Sequence, residues 1–225
     1  VRWLLNRPGD VGGDGNFSNS DLIYEINTIH FTENTPENPN MLTVHERYLD
    51  IFKDYGGKRN GSCFLVHKGN RDNIDLSLHS LDDEITDFSP NQKLADYFNT
   101  KEYFYSYDSA TIMSHLAALC GVKSIIIPDG SRTKEELLEW IPYGVAIGLD
   151  DLERANKTLP LFRPWWENKE EEELNLVKKF IHKTQDHFNT KNFQNINKPN
   201  KELVSIVILS YNTLDYTRKT IESVI

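Results

Sequence analysis

Short apolar runs recur along this chain, each closed by a turn-forming cluster, and between them the apolar spacing lengthens to the step of an amphipathic helix. "VRWLLN" (1–6) reads as a strand feeding "RPGDVGGDG", where Pro8, Gly9, Gly12, Gly13 and Gly15 exclude regular structure. "DLIYEINTIHF" is a second strand-like run, followed by the polar loop "TENTPENPN". In "LTVHERYLDIF", Thr43 with Glu46 three residues on forms a capping-box pattern, which predicts a short helix. "SCFLVH" reads as a buried strand ending at Lys68-Gly69, and "SPNQKLADYFN" as a helix with Ser89 at the N-cap and Pro90 in its first turn. "EYFYSYD" is an aromatic strand, "SATIMSHLAALCG" a helix closed by Gly121, and "VKSIIIPDG" an apolar strand. "TKEELLEWI" adds a helix and "VAIGLDDLERANKTL" a short strand and helix. A long helix is predicted from near Glu167, acidic early and carrying Lys178, Lys179 and Lys183 later, as the helix dipole favours. Apolar strands alternating with helices predict an α/β fold, a Rossmann-like parallel sheet covered on both faces.

The 225 residues, 38% of them hydrophobic, suffice for a substantial core. The formal charge of −9 repels nucleic acid and anionic membrane, so no nucleic-acid partner is expected. Cys63 and Cys120 sit in apolar surroundings without a Cys or His at ligand spacing, which predicts core thiols in a reducing compartment. No apolar run reaches the ~18 residues of a membrane span. The expected location is cytoplasmic, or peripheral at the inner face of the membrane. Both ends read as cut from something longer, and "NTKNFQNINKPNKE" reads as a linker.

The densest chemistry lies in "YFYSYDSAT". A strand there brings Ser106, Tyr107 and Asp108 to its carboxyl end, with Ser109 and Thr111 at the start of a helix. Open parallel sheets bind ligands at the carboxyl ends of their strands, and amides and hydroxyls at such a turn suit a phosphate. A second reading stands beside it: Asp108 or Ser109 simply caps the helix. Lys68 and Arg71 after "FLVH" are either basic partners of that phosphate or a solvated turn. Asp10, Asp14 and His30 read as possible bases or as turn and strand-end residues. Trp165 and Trp166 of "RPWW" make either a sugar platform or a helix anchor.

"FYSYDSAT" followed by "AALCG" and "SIIIP" resembles the donor-side motif of bacterial GT-B-type glycosyltransferases that assemble rhamnan-like polysaccharides. Phe104, Ser106, Tyr107, Asp108 and Thr111, then Ala117 to Gly121, then Pro128 carry the match. "VRWLLNRPGDVGG" and "RNGSCFLVHKGN" resemble that family's early Gly-rich loop and the strand opening its nucleotide half. The resemblance implies sugar transfer from a nucleotide-sugar donor to a glycan or glycolipid acceptor, without a cofactor in this part. It implies donor contacts from Lys68, Arg71, Ser106, Tyr107, Asp108 and Thr111, and an acceptor-side loop of Asn6, Arg7, Gly9, Gly12 and Gly13. Catalytic residues are not identified. The sequence departs from the family at Ser114-His115-Leu116, where many retaining members carry a ribose-binding glutamate, and its nucleotide half is short.

"VSIVILSYNTLDYTRKTIESVI" (204–225) resembles the first strand, loop and helix of family 2 glycosyltransferases of GT-A type, with Ser210, Tyr211 and Asn212 at the nucleotide loop. Leu209 stands where that family often has proline. The metal-binding D-x-D of that family would follow, so a divalent metal is expected only beyond this sequence. The organisation expected is a GT-B-like domain over 1–188, a linker over 189–203, and a truncated second domain whose apolar strand pairs with the main sheet or between chains. The expected function is glycosyl transfer to a surface polysaccharide. The alternative is a degenerate, non-catalytic module that binds acceptor glycan or positions the following domain.

Overall fold

A computed structural model describes residues 1–5, 17, 21–26, 40–45, 48–87 and 91–192. The chain divides into two compact units, Val1–Asp186 and His187–Ile225. Among the described residues the first contains two parallel sheets, each with its strands in chain order. One is β1 (Arg2–Leu4), β2 (Ile23–Glu25) and β3 (Asn40–Met41); the other is β4 (Ser62–Leu65), β5 (Tyr103–Ser106), β6 (Lys123–Ile126) and β7 (Val145–Ile147). Helices α1 (Asn91–Thr100), α2 (Met113–Leu119) and α3 (Lys134–Trp140) connect the second sheet, and α4 (Leu152–Asn192) leaves it. This is the α/β, Rossmann-like parallel architecture read from the pattern.

Strand order without reversal has a packing consequence. Right-handed crossovers between neighbouring parallel strands place every connecting helix on the same face. That face buries Cys63, Leu65, Phe104, Ile126 and Val145 against Leu94 and Phe98 of α1, Leu116 of α2 and Leu137 of α3. The opposite face, carrying Phe64, Tyr105, Tyr107 and Ile125, meets Ile74 and Leu78 of an irregular segment, and Leu152 and Ala155 of α4. His79 anchors that segment. Its ring stacks 3.8 Å from Phe64, its Nε2 accepts from the Tyr107 hydroxyl at 2.8 Å, and the Tyr107 oxygen accepts the Asp75 amide at 2.9 Å. Burial holds the His79 imidazole below its ordinary pKa, in keeping with a neutral acceptor. Both cysteines are fully buried, and burial pushes their thiols up to about 12.

Two expectations are corrected. No helix forms over the described residues of "LTVHERYLDIF" before Tyr48, because the Thr43 hydroxyl donates to the Ile26 carbonyl across the sheet instead of capping; Glu46 lies outside the described residues. The long helix begins at Leu152, not near Glu167, and runs through Pro160 and Pro164. Each proline removes one backbone donor. Both lie exposed and four residues apart, so the carbonyls they orphan, at Asn156 and Pro160, share one outer side of the helix where water can reach. Ser89 and Pro90, the expected opening of α1, lie outside the described residues.

α4 runs down beside β7 from its carboxyl end. Gly144, which precedes β7, already packs against Leu159 and Phe162, and beyond Trp166 the helix presents Val177 and Phe180 to Leu22, Tyr24 and Leu42 of the three-stranded sheet. At ~1.5 Å per residue the helix has descended ~21 Å by Trp166. The three-stranded sheet therefore lies past the amino edge of the four-stranded one.

One guanidinium closes two helices. Arg59 donates to the Phe98 and Lys101 carbonyls at the end of α1, to the Cys120 carbonyl at the end of α2, and to Asp54 at 2.7 Å. Next to it, Gly121 takes φ +76° and lies so close to the Asp54 carboxylate that an added Cβ would fall 2.6 Å from it. Replacing Arg59 by alanine strands several carbonyls and a carboxylate at once. Arg59→Ala is expected to lower stability by about 3 kcal/mol in urea unfolding, since a hydrogen bond to a charged group contributes ~1.5–3. Arg59→Lys should recover less than half, because an ammonium lacks the fork that reaches both helix ends.

Candidate functional site

Loops following β4, β5 and β6 converge at the carboxyl edge of the four-stranded sheet around a cleft of ≈190 Å³. Its walls are Lys68 and Gly69 from the first loop, Asp108, Ser109 and Ala110 from the second, and Asp129, Ser131 and Arg132 from the third. The first turn is tight. The Gly69 amide bonds the Val66 carbonyl at 2.6 Å, and a Cβ on Gly69 would stand 2.0 Å from the Tyr107 carbonyl oxygen, so only glycine fits. His67 beside it takes φ 44°, a left-handed conformation uncommon outside glycine.

That turn brings His67 and Lys68 onto Asp108. Asp108 is 4% exposed; its Oδ2 lies 2.9 Å from His67 Nδ1 and 3.9 Å from Lys68 Nζ, and its Oδ1 accepts the Ala110 amide at 3.0 Å. Ser106 braces the arrangement by donating to the Asp108 carbonyl at 2.7 Å. On the far wall, Arg132 donates to Ser109 Oγ at 2.8 Å, and Ser109 and Ser131 hydroxyls lie 3.4 Å apart. Asp129 accepts the Ser131 amide at 2.9 Å. Two cations, two carboxylates and two hydroxyls thus line one small space, Lys68 lying beside Asp108 and the Ala110 carbonyl, and Arg132 on the two serines. An anion of phosphate size matches the cations and hydroxyls.

The residues read from sequence separate. Lys68 and Asp108 line the cleft. Arg71 does not: its guanidinium forms a two-pronged pair with Glu84, at 2.7 and 2.8 Å. Tyr107 turns its hydroxyl to the opposite face, toward His79 and Asp75. Ser106 is fully buried and supports Asp108, and Thr111 accepts the Met113 amide at 3.3 Å, opening α2. The Ala110 amide, one of those expected to meet a phosphate, is therefore engaged within the chain by Asp108. The capping reading of Asp108 or Ser109 is not met: α2 opens after Ile112 without a side-chain cap, Asp108 accepts the Ala110 amide ahead of the helix, and Ser109 meets Arg132. Asn6, Arg7, Gly9, Gly12 and Gly13, and Ser210, Tyr211 and Asn212, lie outside the described residues, as do Asp10, Asp14 and His30.

Sequence reasoning missed Arg132 and Ser131. "PDGSRT" follows β6 as "DSAT" follows β5, and the same carboxyl-edge rule would have found them. Among the described residues no group of His, Cys, Asp and Glu is placed to hold a metal ion, and no helix is long and apolar enough to cross a membrane.

His115 of the Ser114-His115-Leu116 stretch is not in the cleft. It is fully buried in α2, with ring centroids 4.7 Å from Trp140 and 4.8 Å from Trp166. Neither ring nitrogen makes a well-formed hydrogen bond among the described residues, and a weak backbone interaction with Thr111 only partly offsets burial. Burial, reinforced by His45, pushes its pKa down to about 3. Glu25 moves oppositely: burial in β2 pushes its carboxyl up to about 7. The unfolded chain binds a proton on His115 below pH ~6.5 that the folded one refuses until about 3, so this stability is present above ~6.5 and lost as pH falls. Glu25 acts in reverse, its contribution being lost as pH rises from the ordinary carboxylate range through 7.

His115→Phe isolates the first effect. Compared with wild type in urea unfolding at pH 7.5, 6 and 5, the variant should gain relative stability as pH falls, by up to ~1.4 kcal/mol per pH unit. A difference independent of pH would mean that His115 is not buried neutral.

No family model, curated protein or solved structure matches this chain.

Proposed function

We propose that this chain belongs to a glycosyltransferase that moves a sugar from a nucleotide-sugar donor to a growing surface polysaccharide, with the donor diphosphate at the carboxyl edge of the four-stranded sheet. The observation that carries the reading is the convergence of Lys68, Arg132, Ser109 and Ser131 on one cleft. In the transfer, the bond from the sugar C1 to the diphosphate breaks, the acceptor oxygen bonds to C1, and the acceptor hydroxyl loses its proton. Lys68 and Arg132 neutralise the charge that builds on the departing diphosphate. His67, held by Asp108 at 2.9 Å, takes the proton.

The GT-B assignment, the acceptor-side role of Asn6 to Gly13 and the GT-A start at 204–225 rest on the motif resemblance. The loss of the ribose carboxylate, with His115 buried instead, favours a second reading: a module that binds but does not turn over.

Calorimetric titration with UDP, GDP and dTDP tests the first step. Saturable binding of one nucleotide is expected, weakened about tenfold, ~1.4 kcal/mol, by Lys68→Ala and by Arg132→Ala. Gly69→Ala should weaken it as much, by forcing the loop off Tyr107. A folded protein that binds none of the three would end the donor reading.

For the chemistry, His67→Ala is expected to leave nucleotide affinity within about twofold while lowering consumption of the matching nucleotide sugar about 100-fold. Nucleotide binding by wild type with no donor consumed would support the binding module.

A further inference from the structure

At the opposite end of the four-stranded sheet, α3 and α4 and the segment after β3 enclose a second cleft, of ≈180 Å³. Three of the chain's four tryptophans, Trp140, Trp165 and Trp166, line it. Trp166 is 3% exposed and packs its ring 4.8 Å from the buried His115, so it fixes the wall. Trp140 and Trp165 are half-buried. The indoles are held by one another and by Phe162, with Trp165 at 5.7 Å from Trp166 and 5.6 Å from Phe162.

Polar groups complete the lining. Glu173, 7% exposed, accepts the His45 amide at 3.1 Å and meets its Nδ1 at 2.8 Å, tying the segment after β3 to α4. Lys169 pairs with Glu172 at 2.6 Å and stands 5.8 Å over the Trp165 ring, and Glu139 lies on the α3 side.

We infer that this cleft binds one pyranose ring of a glycan that carries no acidic group. A pyranose presents an apolar C–H face suited to an indole, and a rim of hydroxyls that needs acceptors and donors. The cleft offers both: aromatic walls, carboxylates that accept, and an ammonium that donates. A wholly apolar ligand would strip water from the exposed carboxylates of Glu139 and Glu172 without replacing it. Three glutamates against one lysine oppose a uronic or other acidic sugar. The volume, below the ~300 Å³ of a drug-sized pocket, matches a single ring. Lys169 lies over one face of Trp165, and the half-buried Trp140, its ring T-shaped on His115 at 4.7 Å, forms the other aromatic wall.

The site lies at the amino edge and the phosphate-sized cleft at the carboxyl edge, so this inference does not depend on the donor reading. It would let the protein hold a glycan strand away from any donor.

Because the tryptophans line the cleft, intrinsic fluorescence reports its occupancy. The whole chain is titrated with a panel of neutral and acidic hexoses, 6-deoxyhexoses and N-acetylhexosamines, as monomers and trimers, and with tetramethylammonium. Binding is confirmed by saturation-transfer NMR. At least one neutral member is expected to bind saturably, at least tenfold more weakly to Trp140→Ala, and measurably more weakly to Trp165→Phe, which keeps an aromatic ring should the alanine variant misfold. Lys68→Ala should not change it. The inference is overturned if no neutral pyranose binds the folded wild type, if binding survives both tryptophan substitutions, or if tetramethylammonium binds and sugars do not.

Discussion

Four strands that run parallel in chain order can be joined only by crossovers of one hand, and that restriction organises the first unit. It stacks α1, α2 and α3 on a single face and leaves the other without a connecting helix. The exposed face would carry Phe64, Tyr105 and Ile125 into water. The segment pinned by His79 and the start of α4 cover it instead. Tyr107 is diverted to this task, which is why a residue one position from Asp108 contributes nothing to the cleft.

The same restriction gathers the loops after β4, β5 and β6 at one edge, but gathering is not alignment. Alignment comes from the turn after β4, where Gly69 presses on the Tyr107 carbonyl and His67 accepts a left-handed backbone. Lys68 and His67 then flank Asp108, and Asp108 holds the following loop through the Ala110 amide. Asp108 is an organiser that also lines the space, its carboxylate shared among His67, Lys68 and the Ala110 amide. Arg132 completes the wall from a third loop.

α4 carries the structure away from that edge. Its first turns serve the sheet's open face, its middle supplies Phe162 and Trp166 to the main core, and its later turns cover the three-stranded sheet. One helix therefore runs from the edge that carries the small charge-balanced cleft to the edge where it lines an aromatic, acidic one. The prolines at 160 and 164 are compatible with this role because both face outward, where water replaces the missing donors.

By itself, the sequence determined the alternation of apolar strands and helices, the parallel class, the buried state of Cys63 and Cys120, the stop of α2 at Gly121 and the place of Asp108 just past the carboxyl end of β5. These follow from periodicity, turn chemistry and local burial, all carried by neighbouring residues. Tertiary structure alone decided the rest. Thr43 satisfied a strand carbonyl in place of a helix cap, and α4 absorbed two prolines because of the side they occupy. Arg71 paired with Glu84 across a loop, and Arg132 entered the cleft from a strand two crossovers away from Lys68. Each of these outcomes depends on which partners the chain brings together across long sequence separations, and the competition between a local hydrogen bond and a distant one is settled only when the sheet has formed.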